Sequence, residues 1–342
     1  MSAQPVLDVR HLRVDIETRN GTLHAVRDVS LQVHQGETLC IVGESGCGKS
    51  MTSLALMSLL PRAATRHTGQ FLFQGEDLSR AGKRRINTLR GNKMAMIFQE
   101  PMTALNPAYT IGNQLTEVYL QHRGGSMDAA RRRAINLLEK VGITSAGDRL
   151  GQYPHQLSGG LRQRVMIAMA LMCDPELLIA DEPSTALDVT IQAQILRLLA
   201  DLQKELGLAM ILITHDLGIV ARIADRVAVM YAGEVIEEGR AADVFDRPNH
   251  PYTRGLIDCI PVPGRTLPGQ RLGTIRGTVP SLIGEFQGCA FRDRCPHARP
   301  ECAGTIPIHE SASGHRWRCI LEEGEGLASE GADAPALEEN PA

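Results

Sequence analysis

Residues 43–50 read G-E-S-G-C-G-K-S, directly after T-L-C-I-V at 38–42 and directly before M-T-S-L-A-L-M-S-L-L at 51–60. A short, largely apolar run that ends in glycine marks a strand buried on both faces. The run after Ser50 reads as a helix that Pro61 stops. Strand, glycine-rich turn and helix in immediate succession allow few folds. The turn matches G-x-x-x-x-G-K-[ST], in which glycines let backbone N–H groups turn inward around a phosphate. The positive N-terminal end of the helix adds to that attraction. Gly43, Glu44, Ser45, Gly46, Cys47, Gly48, Lys49, Ser50 and Met51 are therefore the expected nucleotide-binding residues. Lys49 is expected to reach the β- and γ-phosphates of ATP, and the Ser50 hydroxyl to bind Mg²⁺. A chance glycine-rich turn would not need this strand and this helix.

The rest of the chain is organised around that unit. Residues 1–42 alternate apolar and polar positions, with short half-exposed strands at 6–9, 12–14 and 29–33 and turns at Asn20-Gly21 and Gln35-Gly36. Residues 114–120, 129–141 and 161–172 carry helical periodicity. After 175 the pattern alternates: strand at 177–180, helix at 191–206, strand at 209–213, strand at 226–230. Such alternation predicts an α/β core with a largely parallel sheet. The chain has 342 residues, enough for more than one domain, and no internal repeat. A net charge of −3 gives no overall attraction to nucleic acid or anionic membrane. No run approaches the roughly 20 apolar residues that span a bilayer. The N-terminus, MSAQPVLDVR, lacks the basic start and apolar core of a secretion signal, so a cytosolic location is expected.

Two further runs carry chemistry. L-L-I-A-D-E at 177–182 is an apolar strand ending in two carboxylates. Asp181 is expected to hold Mg²⁺, directly or through water, and Glu182 to act as general base on the attacking water. L-S-G-G-L-R-Q-R at 157–164 places Ser158, Gly159 and Gly160 at the start of a helix, a second anion site without its own lysine. Alone, this would read as an ordinary helix N-cap.

The order of these motifs resembles that of ABC transporter ATPase domains. It runs from the phosphate loop through Gln99 in I-F-Q-E-P, L-S-G-G, the D-E pair and S-T-A-L-D at 184–188 to His215 in I-T-H-D. The resemblance covers about residues 5–240. It implies a P-loop NTPase of ABC type, α/β, with an antiparallel β subdomain and an inserted helical subdomain at about 100–170, all within an ATPase domain at 1–240. It implies that two such domains pair head to tail, with ATP on one phosphate loop clamped by Ser158, Gly159 and Gly160 of the other. It makes Glu182, His215 and Gln99 the catalytic set. Gln99 would share the Mg²⁺ site with Ser50 and Asp181 and couple to the membrane subunit. His215 would contact the γ-phosphate, and Asp188 would tether the two sites across the interface. The chain departs from the family pattern in one place. The family usually stacks adenine on an aromatic residue about twenty positions before the phosphate loop, and residues 18–24 contain none. His24 or Arg19 is the expected substitute, with weak base selectivity as the consequence. Cys47 lies near a helix N-terminus, which favours a thiolate, so alkylation is expected to block turnover unless ATP is bound first.

Beyond about 240 the chain is richer in Pro, Gly and Cys. His250-Pro251-Tyr252-Thr253 is followed by Cys289, Cys295, Cys302 and Cys319, spaced C-x5-C-x6-C-x16-C. Spacing alone leaves zinc, an iron–sulfur cluster or no metal open. The loop-rich extension at 241–320 resembles that of ATPase subunits of dipeptide and oligopeptide importers. Y-P-H-Q-L-S-G-G at 153–160 and M-Y-A-G at 230–233 point the same way. This implies a [4Fe–4S] cluster on the four cysteines, with Zn²⁺ as the alternative, stapling a region too polar to bury its own core. Residues 321–342 hold seven acidic and no basic residues and are expected to be a disordered tail.

The same resemblance implies the partners. They are a second ATPase subunit, expected to be a non-identical paralogue, two membrane permease subunits docking near Gln99 and the 100–125 region, and indirectly an extracytoplasmic solute-binding protein. The location implied is peripheral, at the cytoplasmic face of the inner membrane of a bacterium or archaeon. Di- and oligopeptides are the expected cargo, with nickel or another small solute as the alternative, because cargo is read by other subunits. A soluble ABC ATPase acting on DNA or ribosomes would carry a long coiled-coil insertion or two ATPase domains, and this chain has neither. A binding module without catalysis would not need Glu182.

Overall fold

The computed structural model describes residues 4–100, 104–184, 188–260, 274–284 and 286–325. Thr185, Ala186 and Leu187 of the 184–188 motif, and the tail from 326 onward, lie outside them. The alternating N-terminal residues form two long antiparallel strands, β1 (Leu7–Thr18) and β2 (Gly21–Val33), joined at the Asn20-Gly21 turn. The sequence predicts shorter pieces here, because its alternation breaks near Arg10 and His11. In the structure the strand runs through, and register shifts between Val9 and Asp15 absorb the break. Leu7, Val9, Leu12 and Val14 all stay buried as a result.

The main sheet begins with β3 (Thr38–Val42), buried at every position. The helix after the glycine turn, α1 (Lys49–Leu56), ends earlier than Pro61 alone suggests. Strands β4 (Ala64–His67), β5 (Gln70–Phe73) and β6 (Glu76–Asp77) return to the antiparallel sheet, and α2 (Lys83–Leu89) leads to β7 (Met94–Ile97). Among the described residues, the α-helices α3 (Ile111–Arg123), α4 (Met127–Lys140), α5 (Ala146–Arg149) and α6 (Gly159–Ala170) then follow before the next strand. Thr110, Ser126 and Ser158 cap three of them by accepting the N–H of Asn113, Ala129 and Leu161. β8 (Leu177–Asp181), α7 (Val189–Leu206), β9 (Ala209–Ile213), α8 (Leu217–Ile223) and β10 (Arg226–Tyr231) complete the alternating part. β10, β3, β9, β8 and β7 are neighbours in that order and all run parallel.

Alternation along β3 explains the layering. Cys40 and Val42 join a core shared with α3, α4, α6 and α7, while Leu39 and Ile41 join a core shared with the antiparallel sheet and α1. A strand covered on both faces has no polar side to present, hence its apolar sequence.

After β11 (Glu234–Arg240), antiparallel to β10, come α9 (Ala241–Asp246) and α10 (Pro251–Asp258). β12 (Ile308–Glu310) and β13 (Arg316–Arg318) then add to β11. The extension thus continues the main sheet. It also differs from the expectation of a region without core: Tyr252, Leu282, Ala290 and Phe291 are buried in the core that holds β3. Tyr231, Tyr252 and Phe291 pack ring on ring, with centroids 4.6–5.4 Å apart. Leu321, inside the stretch expected as tail, is buried, and its carbonyl accepts the Trp317 indole N–H at 3.0 Å.

One polar knot anchors the start of this region. The buried Glu237 carboxylate accepts the backbone N–H of Asn249 at 2.6 Å and of His250 at 3.0 Å, and lies 2.8 Å from His315 Nε2. His250 Nδ1 in turn accepts the N–H of Tyr252 and caps α10. Burial pushes the His250 imidazole down from about 6.5 to about 4, against the opposing pull of Glu237. The native state therefore keeps this ring neutral. Between about pH 6.5 and 4 the unfolded chain takes up a proton that the native chain does not, so stability falls through that window. The loss amounts to at most about 3 kcal/mol. His250→Asn keeps a capping acceptor without titrating. Its chemical-denaturation midpoint is expected to fall less steeply over this window than that of the wild type.

Candidate functional site

The strand register brings the expected site together. Ile41 of β3 and Asp181 of β8 both stand beside Ile213 of β9, and Ala180 of β8 stands beside Ile97 of β7. The chain therefore leaves β3 toward Gly43, β7 toward Gln99, β8 toward Glu182 and β9 toward His215 at one edge of the sheet. Open parallel sheets bind ligands at this carboxyl edge. A cleft of about 800 Å³ opens there, and Glu44, Ser45, Gly46, Gly48, Lys49, Ser50, Met51, Gln99 and Glu182 line it.

Steric crowding explains the glycines of the turn. Gly43 has φ +150°, and a Cβ there would lie 2.2 Å from the Met230 carbonyl oxygen. Gly48 has φ +101°, and a Cβ there would lie 2.5 Å from the Ala25 carbonyl oxygen. Any larger residue would push the loop off the sheet. Lys49 is buried, and its Nζ donates to the carbonyls of Gly43 and Glu44, both at 2.9 Å. The ammonium thus sits inside the loop that it is expected to serve. Cys47 departs from expectation. It is fully buried beneath the loop, and that burial pushes its thiol pKa up, outweighing the nearby Lys49 ammonium. A helix N-terminus favours a thiolate only where water or a ligand can reach it. Cys47 is thus a buried thiol and not the reactive one that its place in the loop suggests.

Ser50 Oγ donates to Asp181 Oδ1 at 3.1 Å, and Ser53 Oγ donates to Asp181 Oδ2 at 3.0 Å. Burial raises the Asp181 pKa, while these two hydroxyls oppose the shift. A hydroxyl and a carboxylate at contact distance are the hard oxygen donors that suit Mg²⁺. Gln99 Nε2 donates to Glu182 Oε2 at 3.1 Å, and His215 Nδ1 stands 3.8 Å from the same oxygen. Glu182 adopts φ +43°, a backbone conformation that costs energy for a residue with a Cβ. Its N–H donates to the Ile213 carbonyl at 2.9 Å, which helps to hold it there.

Other expected residues lie off this cleft. Ser158 and Gly159 are exposed at the first turn of α6, and Gly160 packs against Ile191 of α7. Asp188 is exposed at the start of α7, and its side chain does not cap that helix. None of the four lines the cleft of its own chain.

The sequence missed three contributions from the extension. Tyr252 Oη accepts the backbone N–H of Glu44 at 2.8 Å. Arg294 grips the Glu44 carboxylate with both terminal nitrogens, at 2.6 and 2.9 Å. Residues 277–282 line the cleft directly. Tyr252 lies in the H-P-Y-T run, so its composition gave a hint, whereas nothing in the spacing pairs Arg294 with a residue 250 positions away. Arg294 is 5% exposed and Glu44 30%, so water screens the pair only in part. Removing the arginine should cost the loop about 1–2 kcal/mol of its ordering. Arg294→Ala is accordingly expected to weaken Mg·ATP binding roughly five- to thirtyfold, measurable by calorimetric titration.

The four late cysteines converge. Cys289, Cys295, Cys302 and Cys319 all line one small apolar cavity beside His250 and Phe291. Cys289 donates its N–H to the Cys302 carbonyl at 2.8 Å. Burial first, and then the charge of neighbouring thiols, pushes Cys289 and Cys295 up to about 11. Among the described residues, however, no three His, Cys, Asp or Glu side chains form a group that could hold a metal ion. The expected metal site is thus gathered but not closed.

Comparison with known proteins accords with this layout. A family model described as "ABC transporter" matches residues 26–185, and one described as "Oligopeptide/dipeptide transporter, C-terminal region" matches residues 236–302. The chain is 50% identical to the dipeptide transport ATP-binding protein DppD of Bacillus subtilis (strain 168), over 94% of this chain and 96% of that protein. It is 48% identical to the oligopeptide transport ATP-binding protein OppD of Salmonella typhimurium (strain LT2), over 93% and 94% respectively. Among solved structures, the dimeric post-hydrolysis state of the ATP-binding cassette MJ0796 bound to ADP and Pi superposes with a TM-score of 0.62 at 26% identity. That match covers 69% of this chain and 98% of the other. The chain therefore belongs to the ABC transporter ATPases that carry the oligopeptide/dipeptide transporter C-terminal region.

Proposed function

We propose that this chain hydrolyses ATP to energise a membrane importer of di- or oligopeptides, working as one half of a dimer of ATPase subunits. The observation that carries the reading is the convergence of Lys49, Ser50, Asp181, Gln99, Glu182 and His215 at one sheet edge. The phosphate loop of residues 43–51 cradles the triphosphate with its backbone N–H groups, and Lys49 turns from its loop carbonyls toward the β- and γ-phosphates. Ser50 and Asp181, with Gln99 nearby, would hold Mg²⁺, which would supply positive charge to offset the phosphates. Glu182 takes a proton from the water that attacks the γ-phosphorus, as the bond to the β–γ bridging oxygen breaks. Gln99 orients that water, and His215 donates to the γ-phosphate.

Ser158 and Gly159 sit exposed, and Gly160 half-buried, at a helix N-terminus away from their own cleft. This supports a role in trans, where their free N–H groups meet the γ-phosphate held by the facing subunit. Asp188 joins that interface. The partners are a second ATPase subunit, non-identical in our reading, and two permease subunits that dock near Gln99, with a solute-binding protein outside. Among the described residues no helix is long and apolar enough to cross a membrane. We place the chain on the cytoplasmic face of the inner membrane, held there by the permeases.

For the extension we propose a [4Fe–4S] cluster on Cys289, Cys295, Cys302 and Cys319. Four thiols around one apolar cavity give the donor set of such a cluster. Zn²⁺ on the same four thiolates, with Zn–S bonds of about 2.3 Å, is the alternative. Iron and acid-labile sulfide in anaerobically purified protein should both reach about four per chain. Stoichiometric zinc without sulfide would replace the cluster with Zn²⁺.

Transport itself tests the main reading. Proteoliposomes holding the chain with its permeases and partner ATPase are expected to accumulate labelled dipeptide only when ATP is supplied. Accumulation of a nickel chelate with no peptide uptake would refute the cargo and leave the ATPase standing.

A further inference from the structure

We propose that residues 278–282 of the C-terminal extension form the wall that holds the purine base of the bound nucleotide. Ile16, Leu23 and His24 are in the lining of the cleft. None is a Phe, Tyr or Trp, and the His24 ring is tied to Asp15 through Nδ1 at 2.6 Å. Arg19, the other expected substitute, does not line the cleft. The same cleft has Thr278, Val279, Pro280, Ser281 and Leu282 in its lining. These residues carry no charge, so they suit a flat, uncharged ring and not a phosphate. Val279 and Pro280 are half-buried and Leu282 buried, which offers an aliphatic surface, while the exposed Thr278 and Ser281 put hydroxyls within the cleft lining.

The wall is fastened at both ends. At one end the His24 N–H donates to the Leu282 carbonyl at 3.0 Å, the Gly284 N–H donates to the Thr22 carbonyl at 3.1 Å, and Leu23 bridges to Ile283. At the other end Arg294 donates to the carbonyl of Arg276 at 2.7 Å and of Ile275 at 3.3 Å, while also gripping Glu44 of the phosphate loop. The segment and the phosphate loop are thus fixed to one guanidinium. A base entering beside Val279 meets a wall already in place, and little entropy is lost in ordering it. The base contact that the N-terminal hairpin lacks is supplied from some 260 residues downstream, and the two hydroxyls give it a means to choose among bases.

The inference rests on reading the cleft as the ATP site, and the test separates the two. The full chain is titrated with Mg·ATP and, separately, with magnesium inorganic triphosphate, which has no base. Val279→Ala should weaken ATP about five- to tenfold, as expected for a lost apolar contact, and leave triphosphate within about twofold of wild type. Unchanged ATP affinity, or equal weakening of both ligands, would overturn the wall. Were the cleft not the ATP site, the wild type would bind neither ligand. Photolabelling of the unsubstituted chain with 2-azido-ATP reads the same contact without altering the segment. The label is expected in the tryptic peptide spanning 277–292, and a label confined to peptides outside it would equally overturn the wall.

Discussion

Glu182→Gln should bind Mg·ATP as tightly as the wild type and hydrolyse it about a thousandfold more slowly. The substitution keeps the size of the side chain and its ability to accept the Gln99 hydrogen bond, which spans 3.1 Å. It removes the only property that matters for proton transfer, and general bases contribute about a hundred- to ten-thousandfold. The strained backbone at this position, with φ +43°, holds either side chain in the same place. Single-turnover hydrolysis together with equilibrium ATP binding distinguishes this from a damaged site. If binding fell along with turnover, Glu182 would be holding the site together and not acting on water.

Lys49→Ala should have a comparably large effect at the binding step. The ammonium donates two hydrogen bonds into the loop at 2.9 Å and is buried below it. Losing it removes charge-assisted bonds to the nucleotide and also the contacts that order the empty loop. Bonds to charged groups contribute about 1.5–3 kcal/mol each, so a loss of about a hundredfold or more in ATP affinity is expected. Circular dichroism should show the fold unchanged, because the core strand β3 does not depend on Lys49. An affinity within about threefold of wild type would show that the cleft binds triphosphate without it.

These two residues were legible in the sequence because local sterics dictate their setting. A strand that is covered on both faces has to be apolar throughout, and only glycine fits where Gly43 and Gly48 approach neighbouring carbonyls within 2.2 and 2.5 Å. Chain order alone then placed Asp181, Glu182 and His215 at the same edge, because parallel strands all end there. The Cys47 expectation failed because a thiol pKa depends on which way the side chain points, and Cys47 points into the core. Register shifts in β1 were hidden because a break in alternation, as near Arg10 and His11, reads equally as the end of a strand. The contacts made by Arg294, Tyr252 and residues 277–282 were out of reach for another reason. They join positions about 200 to 260 residues apart through irregular chain, where no period predicts which residue faces which. For the same reason the sequence described the extension as an appendage with its own metal staple. The structure shows it continuing the main sheet and touching the phosphate loop.

In the proposed dimer each cleft is half of an ATP site. This is tested most directly with Ser158→Arg placed in a Glu182→Gln background. Ser158 does not line its own cleft, so the isolated chain should bind Mg·ATP with unchanged affinity. An arginine at the exposed start of α6 should nevertheless block the facing subunit from closing on its nucleotide. Analytical ultracentrifugation with the partner ATPase subunit is expected to show ATP-driven association for Glu182→Gln alone and none when Ser158→Arg is added. Undiminished association of the double variant, or loss of ATP binding by the isolated chain, would contradict the composite site.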